Sequence, residues 1–65
     1  MDKNRIGERL VKLRGDRSIS EVARALGMSK SSLSRYESGE RVPSDARKAI
    51  FARFYGVSIQ ELFYT

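Results

Sequence analysis

Apolar residues recur along this chain at helical spacing. Ile6, Leu10 and Leu13 stand at i, i+4 and i+7, which places them on one face of a first helix over residues 4–14; Gly15-Asp16 breaks it. Ile19, Val22, Ala23 and Leu26 form a second stripe over residues 19–26. Ser18 sits where its hydroxyl can accept from a free N–H of that first turn, and Glu21 three residues later completes the pattern of a capping box. Gly27 then supplies a left-handed stop. No stretch alternates strictly between apolar and polar, so no strand is predicted.

A third helix over residues 30–38 follows at once, capped by Ser29 and ended before Gly39. It turns Leu33, Tyr36 and Glu37 one way and Ser31, Ser34, Arg35 and Ser38 the other. Pro43-Ser44 opens a fourth helix over residues 45–55, stopped by Gly56. Ser58 and Glu61 repeat the capping-box pattern for a short fifth helix over residues 59–63. The fold class expected is all-α: five short helices joined by tight turns, in a single domain spanning residues 1–65.

Size and charge narrow the choice. Sixty-five residues lie near the lower limit for a chain that folds without help, and no cysteine is present to form a disulfide or a thiolate metal site. Packing, or association with a second copy, must supply the stability. Thirteen Lys and Arg against eight Asp and Glu give a net charge of +5, which favours an anionic partner such as nucleic acid or an acidic membrane surface. No apolar run approaches the ~20 residues that span a bilayer, and MDKNRIGE has no signal-peptide core. A soluble, cytoplasmic chain with no membrane partner is expected.

Catalysis finds little support. Without histidine or cysteine there is no imidazole base, zinc site or thiol nucleophile, and no G-x-x-x-x-G-K-[ST] phosphate loop occurs. The eight carboxylates are scattered, most of them at helix-capping or surface positions. The expectation is a non-enzyme with no cofactor, metal or small-molecule substrate.

Helices two and three are separated only by Gly27-Met28-Ser29, too little chain for an antiparallel pair. They must cross at a large angle, near the ~90–120° of a helix-turn-helix unit. The first of the two braces the second, which stands proud of the surface. A helix with its side chains is ~10–12 Å wide and the B-DNA major groove is ~12 Å wide, so the projecting helix fits. Its outward face carries Lys30, Ser31, Ser34 and Arg35. Lys30 and Arg35 can donate to guanine O6 and N7, while the two serines can donate or accept and are short enough not to clash. A plain solvated face is the bland alternative. Serine is a mediocre helix former, however, and an unselected face more often carries Glu, Lys, Gln or Ala.

Three stretches, IGERLVKLR, SEVARALGMSKSSLSRYESGERVPS and YGVSIQEL, occur in that order over residues 6–62. Together they resemble the phage-repressor and Cro-like (XRE) helix-turn-helix family. The resemblance implies a compact five-helix, lambda-repressor-like DNA-binding domain with the third helix as recognition helix. Lys30, Ser31 and Arg35 match the family's base-reading positions, with Ser34 on the same face. Ser29, Ser38, Gly39 and Arg41 match positions that usually touch phosphate. Arg14 and Glu37 match a pair that commonly ties the recognition helix to its support. The chain departs from the family pattern in two ways. The loop from Arg14 to Ser18 is shorter than the common form, and Ile19 stands where a phosphate-binding glutamine is frequent. Ile19 is read as core, in place of the apolar residue that usually precedes the cap, where this chain has Arg17. Arg17 or Lys12 is then expected to take over the lost phosphate contact.

Tyr36 lies closer to Leu33 than to Ser34 in helical angle, so core packing with a solvated hydroxyl is expected rather than a phosphate contact. Glu40 is expected in the solvated turn. Phe51, Ala52 and Tyr55 share the side of the fourth helix that faces the core, whereas Ile50 and Phe54 lie to one side of it; Phe63 and Tyr64 end the chain. Ile50, Phe54, Phe63 and Tyr64 either complete an irregular core or form a self-association patch, and the patch is the reading adopted. A lone domain covers one half-site, whereas two copies on a two-fold axis place their recognition helices ~34 Å apart on one face of DNA.

The function expected is thus a sequence-specific double-stranded DNA-binding transcriptional regulator, a bacterial or phage repressor. It would occupy a palindromic operator as a homodimer and associate with the nucleoid. The competing expectation is a protein-interaction or antitoxin-type module on the same fold, with Ile50, Phe54, Phe63 and Tyr64 as the docking surface.

Overall fold

Residues 2–64 are described by a computed structural model. Five helices follow in order: α1 (Lys3–Arg14), α2 (Ile19–Leu26), α3 (Lys30–Ser38), α4 (Asp45–Tyr55) and α5 (Ile59–Phe63). No strand occurs among the described residues. Only α1 departs from its expected bounds, starting one residue earlier. Asp2 is the reason: its carboxylate accepts from the N–H groups of Asn4 and Arg5 at 2.9 and 3.4 Å.

The other helices start where serine hydroxyls satisfy their first free N–H groups. Ser18, Ser29, Ser44 and Ser58 accept from the N–H of Glu21, Ser32, Arg47 and Glu61, at 3.0 to 3.3 Å. Among the described residues only the Ser58–Glu61 pair closes in both directions, with Glu61 Oε1 accepting from the Ser58 N–H at 3.3 Å. Ser18 caps α2, but the Glu21 half of the expected capping box is not formed. At the far end of α2, Gly27 takes φ +71°, and the Met28 N–H reaches back to the Ala23 carbonyl at 3.0 Å. That left-handed residue turns the chain sharply enough for α3 to begin at residue 30.

Ile6, Leu10, Val22, Leu33, Phe51 and Leu62 are fully buried and draw on all five helices. Phe51 is the hub of the aromatic part. Tyr36 meets it edge-on at 5.8 Å, Tyr55 stacks on it at 6.4 Å, and Phe63 lies tilted at 6.5 Å. Ile19 is half-buried against this core. Phe63, expected on an outer patch, is 2% exposed and belongs to the core. The short α5 has few positions with which to cover the end of α4, and Leu62 and Phe63 are the two it turns inward.

Helix α3 lies so close to α1 that a Cβ at Gly7 would fall on the Glu37 carbonyl oxygen. This approach holds the back of α3 against the bundle and leaves its front projecting. The whole measures 27 × 23 × 22 Å. Among the described residues, no helix is long and apolar enough to cross a membrane.

Candidate nucleic-acid interface

The two sides of α3 differ as its periodicity requires. Leu33 and Tyr36 are buried, while Lys30, Ser31, Ser34 and Arg35 are exposed along one side. Residues 30 and 34, and residues 31 and 35, are i, i+4 neighbours, so the four side chains form one continuous strip.

Three attachments fix the strip in place. The first is apolar burial of Leu33 and Tyr36. In the second, Arg14 Nε donates to Glu37 Oε2 at 2.8 Å, with the Glu37 side chain only 6% exposed. The same guanidinium donates through Nη1 to the Arg17 carbonyl at 2.8 Å, so one side chain ties α1, the α1–α2 turn and α3 together. Its hydrogen bond to Glu37 raises the Arg14 pKa above the ordinary value, against the opposing effect of burial. In the third, Arg47 Nη1 of α4 donates to the Tyr36 hydroxyl at 2.7 Å. The Tyr36 hydroxyl, expected in solvent, is thus held by a cation from α4.

The residues matched to phosphate contacts divide into groups. Arg41 is exposed in the turn beyond α3. Ser29 is exposed at its start, where its hydroxyl caps Ser32 and donates to Ser32 Oγ at 2.9 Å. The Ser38 hydroxyl donates to the Arg35 carbonyl at 3.1 Å. Gly39 is buried at φ +83° beside Asn4 and the Lys3 carbonyl, and its N–H donates to the Tyr36 carbonyl at 3.3 Å. Its role here is the turn rather than an exposed N–H.

Of Arg17 and Lys12, the expected substitutes for the missing glutamine, Arg17 is engaged within the fold. Arg17 donates to the carbonyls of Arg14 and Leu13 at 3.2 and 3.0 Å, and its guanidinium lies 5.3 Å from the Phe54 ring centre and 5.6 Å from that of Tyr55. It caps the end of α1 and stacks on α4, because the short loop brings those carbonyls and the aromatic faces within its reach. Lys12 lines an open groove of about 240 Å³ between α1 and α5, with Leu13, Val57 and Leu62 at its floor. Along α1 it is five positions from Gly7, roughly 140° around the helix from the contact with α3.

The four residues expected in one self-association patch are not brought together. Phe63 is buried, Phe54 is half-buried, and Ile50 and Tyr64 are 43% and 49% exposed. Ile50 and Phe54 are i, i+4 neighbours on α4. Tyr64 instead packs on Lys48, whose Nζ donates to the Tyr64 hydroxyl at 2.9 Å and lies 4.9 Å from the ring centre. Lys48 and Ile50 are two positions apart, about 200° around the helix, so Tyr64 and Ile50 lie on different sides of α4.

Gly7, Arg47 and Lys48 escaped the sequence reading. Gly7 carried a signal: a glycine inside a helix costs about 1 kcal/mol relative to alanine, and close backbone approach is the usual reason for one. Arg47 and Lys48 carried none, since in sequence they are ordinary surface cations. Lys48 is nevertheless 6% exposed, its ammonium held between Tyr64 and Asp45, the latter at 3.8 Å.

A family model described as a helix-turn-helix domain matches residues 5–62. No match was found among curated proteins or among solved structures.

Proposed function

The chain belongs to the helix-turn-helix domain family, and on that footing we propose that it is a transcriptional repressor which reads the DNA major groove with α3 as a homodimer, in the cytoplasm on nucleoid DNA. The observation that carries this reading is the outward strip of Lys30, Ser31, Ser34 and Arg35 on a helix anchored from behind by Leu33, Tyr36 and Glu37. A reading helix must approach base edges without bending away. The Arg14–Glu37 pair and the Arg47–Tyr36 hydrogen bond resist such bending.

Lys30 and Arg35 are assigned to guanine edges and Ser31 and Ser34 to neighbouring bases. Arg41 and Ser29 flank the strip at its two ends and are assigned to backbone phosphates. Charge supports the same partner: a chain of net charge +5 gains affinity by releasing counterions from DNA, which makes binding steeply salt dependent.

A body of 27 × 23 × 22 Å spans one half-site, and a half-site recurs too often to address one promoter. Two copies on a two-fold axis, ~34 Å between recognition helices, supply the missing selectivity. Their contact is assigned to Ile50 and Phe54, the two residues of the expected patch that share a face. A docking module for a different protein would have to use the same reduced face, because Phe63 is buried and Tyr64 is turned away from Ile50.

Selection of bound duplexes from a random pool tests the proposal. Enrichment of a palindrome with half-sites about one helical turn apart is expected. Equal retention of all sequences, or no retention at low salt, would remove the regulator reading.

A further inference from the structure

Glu40 places a negative charge beside a strip that the proposed function assigns to DNA. Its position follows from the turn that ends α3. Gly39 is left-handed, and this lets the Glu40 N–H donate to the Arg35 carbonyl at 3.0 Å. The chain folds back far enough to set residue 40 alongside residue 35, and Glu40 Oε2 comes within 3.8 Å of Arg35 Nε. The turn does not depend on that ion pair. Gly39 is wedged against α1, where a Cβ would strike the Asn4 side-chain oxygen and crowd the Asn4 backbone. The backbone that carries the Glu40 side chain is therefore held at a rigid corner of the fold.

The nitrogen it approaches matters. Nε is the inner donor of the guanidinium, and attraction there leaves both Nη groups on the outer edge. Those two donors form an end-on pair that guanine O6 and N7 can accept together.

The geometry points to Glu40 as a positioning residue that orients Arg35 for bidentate reading of one guanine. This rests on the DNA-reading function proposed above and goes beyond it by naming what aims the side chain. In the free protein both side chains are more than half exposed, at 52% and 67%, and the pair adds little to stability. In the groove, water is displaced and the same attraction strengthens. Glu40 also repels phosphate, but that effect is alike for every duplex. Repulsion and orientation are thus separable: the first moves all affinities together, the second moves only the preference at one base pair.

The test is Glu40→Gln in the wild-type and Arg35→Lys backgrounds. Affinities are measured for the selected operator, for operators altered at the base pair under Arg35, and for random duplex. With Arg35 present, Glu40→Gln is expected to tighten binding to random duplex while lowering the guanine preference at that pair by about 5- to 10-fold. In the Arg35→Lys background the side chain has no guanidinium fork to orient, so the same change should leave the preference unaltered. If Glu40→Gln shifts all duplexes by one factor in the wild-type background, the positioning role is overturned while the regulator reading stands. If the wild-type chain itself selects no sequence, the regulator reading falls and takes this inference with it.

Discussion

Arg14, at the end of α1, donates to the Glu37 carboxylate of α3 across 2.8 Å, and the carboxylate is almost sealed from water. A charge in that setting is tolerable only while paired. Arg14→Met leaves it unpaired and also removes the bond to the Arg17 carbonyl. We expect a loss of about 2–4 kcal/mol, below the upper range for buried pairs because Arg14 is partly solvated. Arg14→Met combined with Glu37→Leu should recover part of that loss. Urea unfolding of the two variants decides the matter; a single-variant change under about 0.5 kcal/mol would mean that the pair does not anchor α3.

Arg35 and Arg41 are both exposed cations, yet different tasks are assigned to them. Arg35→Ala should cost about 1–3 kcal/mol at a single base position and relax the preference there. Arg41→Ala should weaken all duplexes alike and reduce the salt slope by about one. Titrations against the operator and its point variants at several salt concentrations separate the two patterns. Uniform weakening by Arg35→Ala would count against a base contact.

Tyr55 carries a buried hydroxyl with no hydrogen-bond partner among the described residues. Burial raises its pKa, the Glu37 charge raises it further, and Arg17 and Arg14 act in the opposite sense. The folded state therefore holds the phenolic proton more tightly than the unfolded chain does. Its contribution to stability is complete below the ordinary tyrosine value near 10 and is lost as pH rises through the raised folded value. Tyr55→Phe should be neutral or stabilising by up to about 1 kcal/mol at neutral pH, since an unsatisfied polar group is removed. It should also reduce the alkaline loss. Urea midpoints compared between neutral pH and about pH 11 test both statements, and a clear destabilisation at neutral pH would show that the hydroxyl has a partner.

Ile50 projects from α4 with 43% of its surface exposed, and the proposed two-fold contact is assigned to it. Ile50→Glu should leave the fold intact and shift sedimentation at tens of micromolar from dimer to monomer. Affinity for the palindrome should fall with it, while binding to a single half-site stays as before. A monomeric wild-type chain, with and without operator, would remove the dimer.

What the linear order of residues decides is visible at the helix ends. The bonds of Ser18, Ser29, Ser44 and Ser58 reach three residues forward, and the stops at Gly27, Gly39 and Gly56 close within the preceding turn, so neighbours in the chain settle them. The outward strip of α3 was legible for the same reason, because a single helical period sorts Leu33 and Tyr36 from Ser31 and Arg35. Side chains whose partners are distant in sequence were not legible. Ile50 and Phe63 read alike as apolar residues, yet packing against Phe51 seals one and leaves the other in solvent. Arg17 was expected at a phosphate and Lys48 carried no signal, yet the packed fold put aromatic rings under both. Long, flexible side chains follow whichever surface comes within reach, and only the packed arrangement of all five helices specifies that surface.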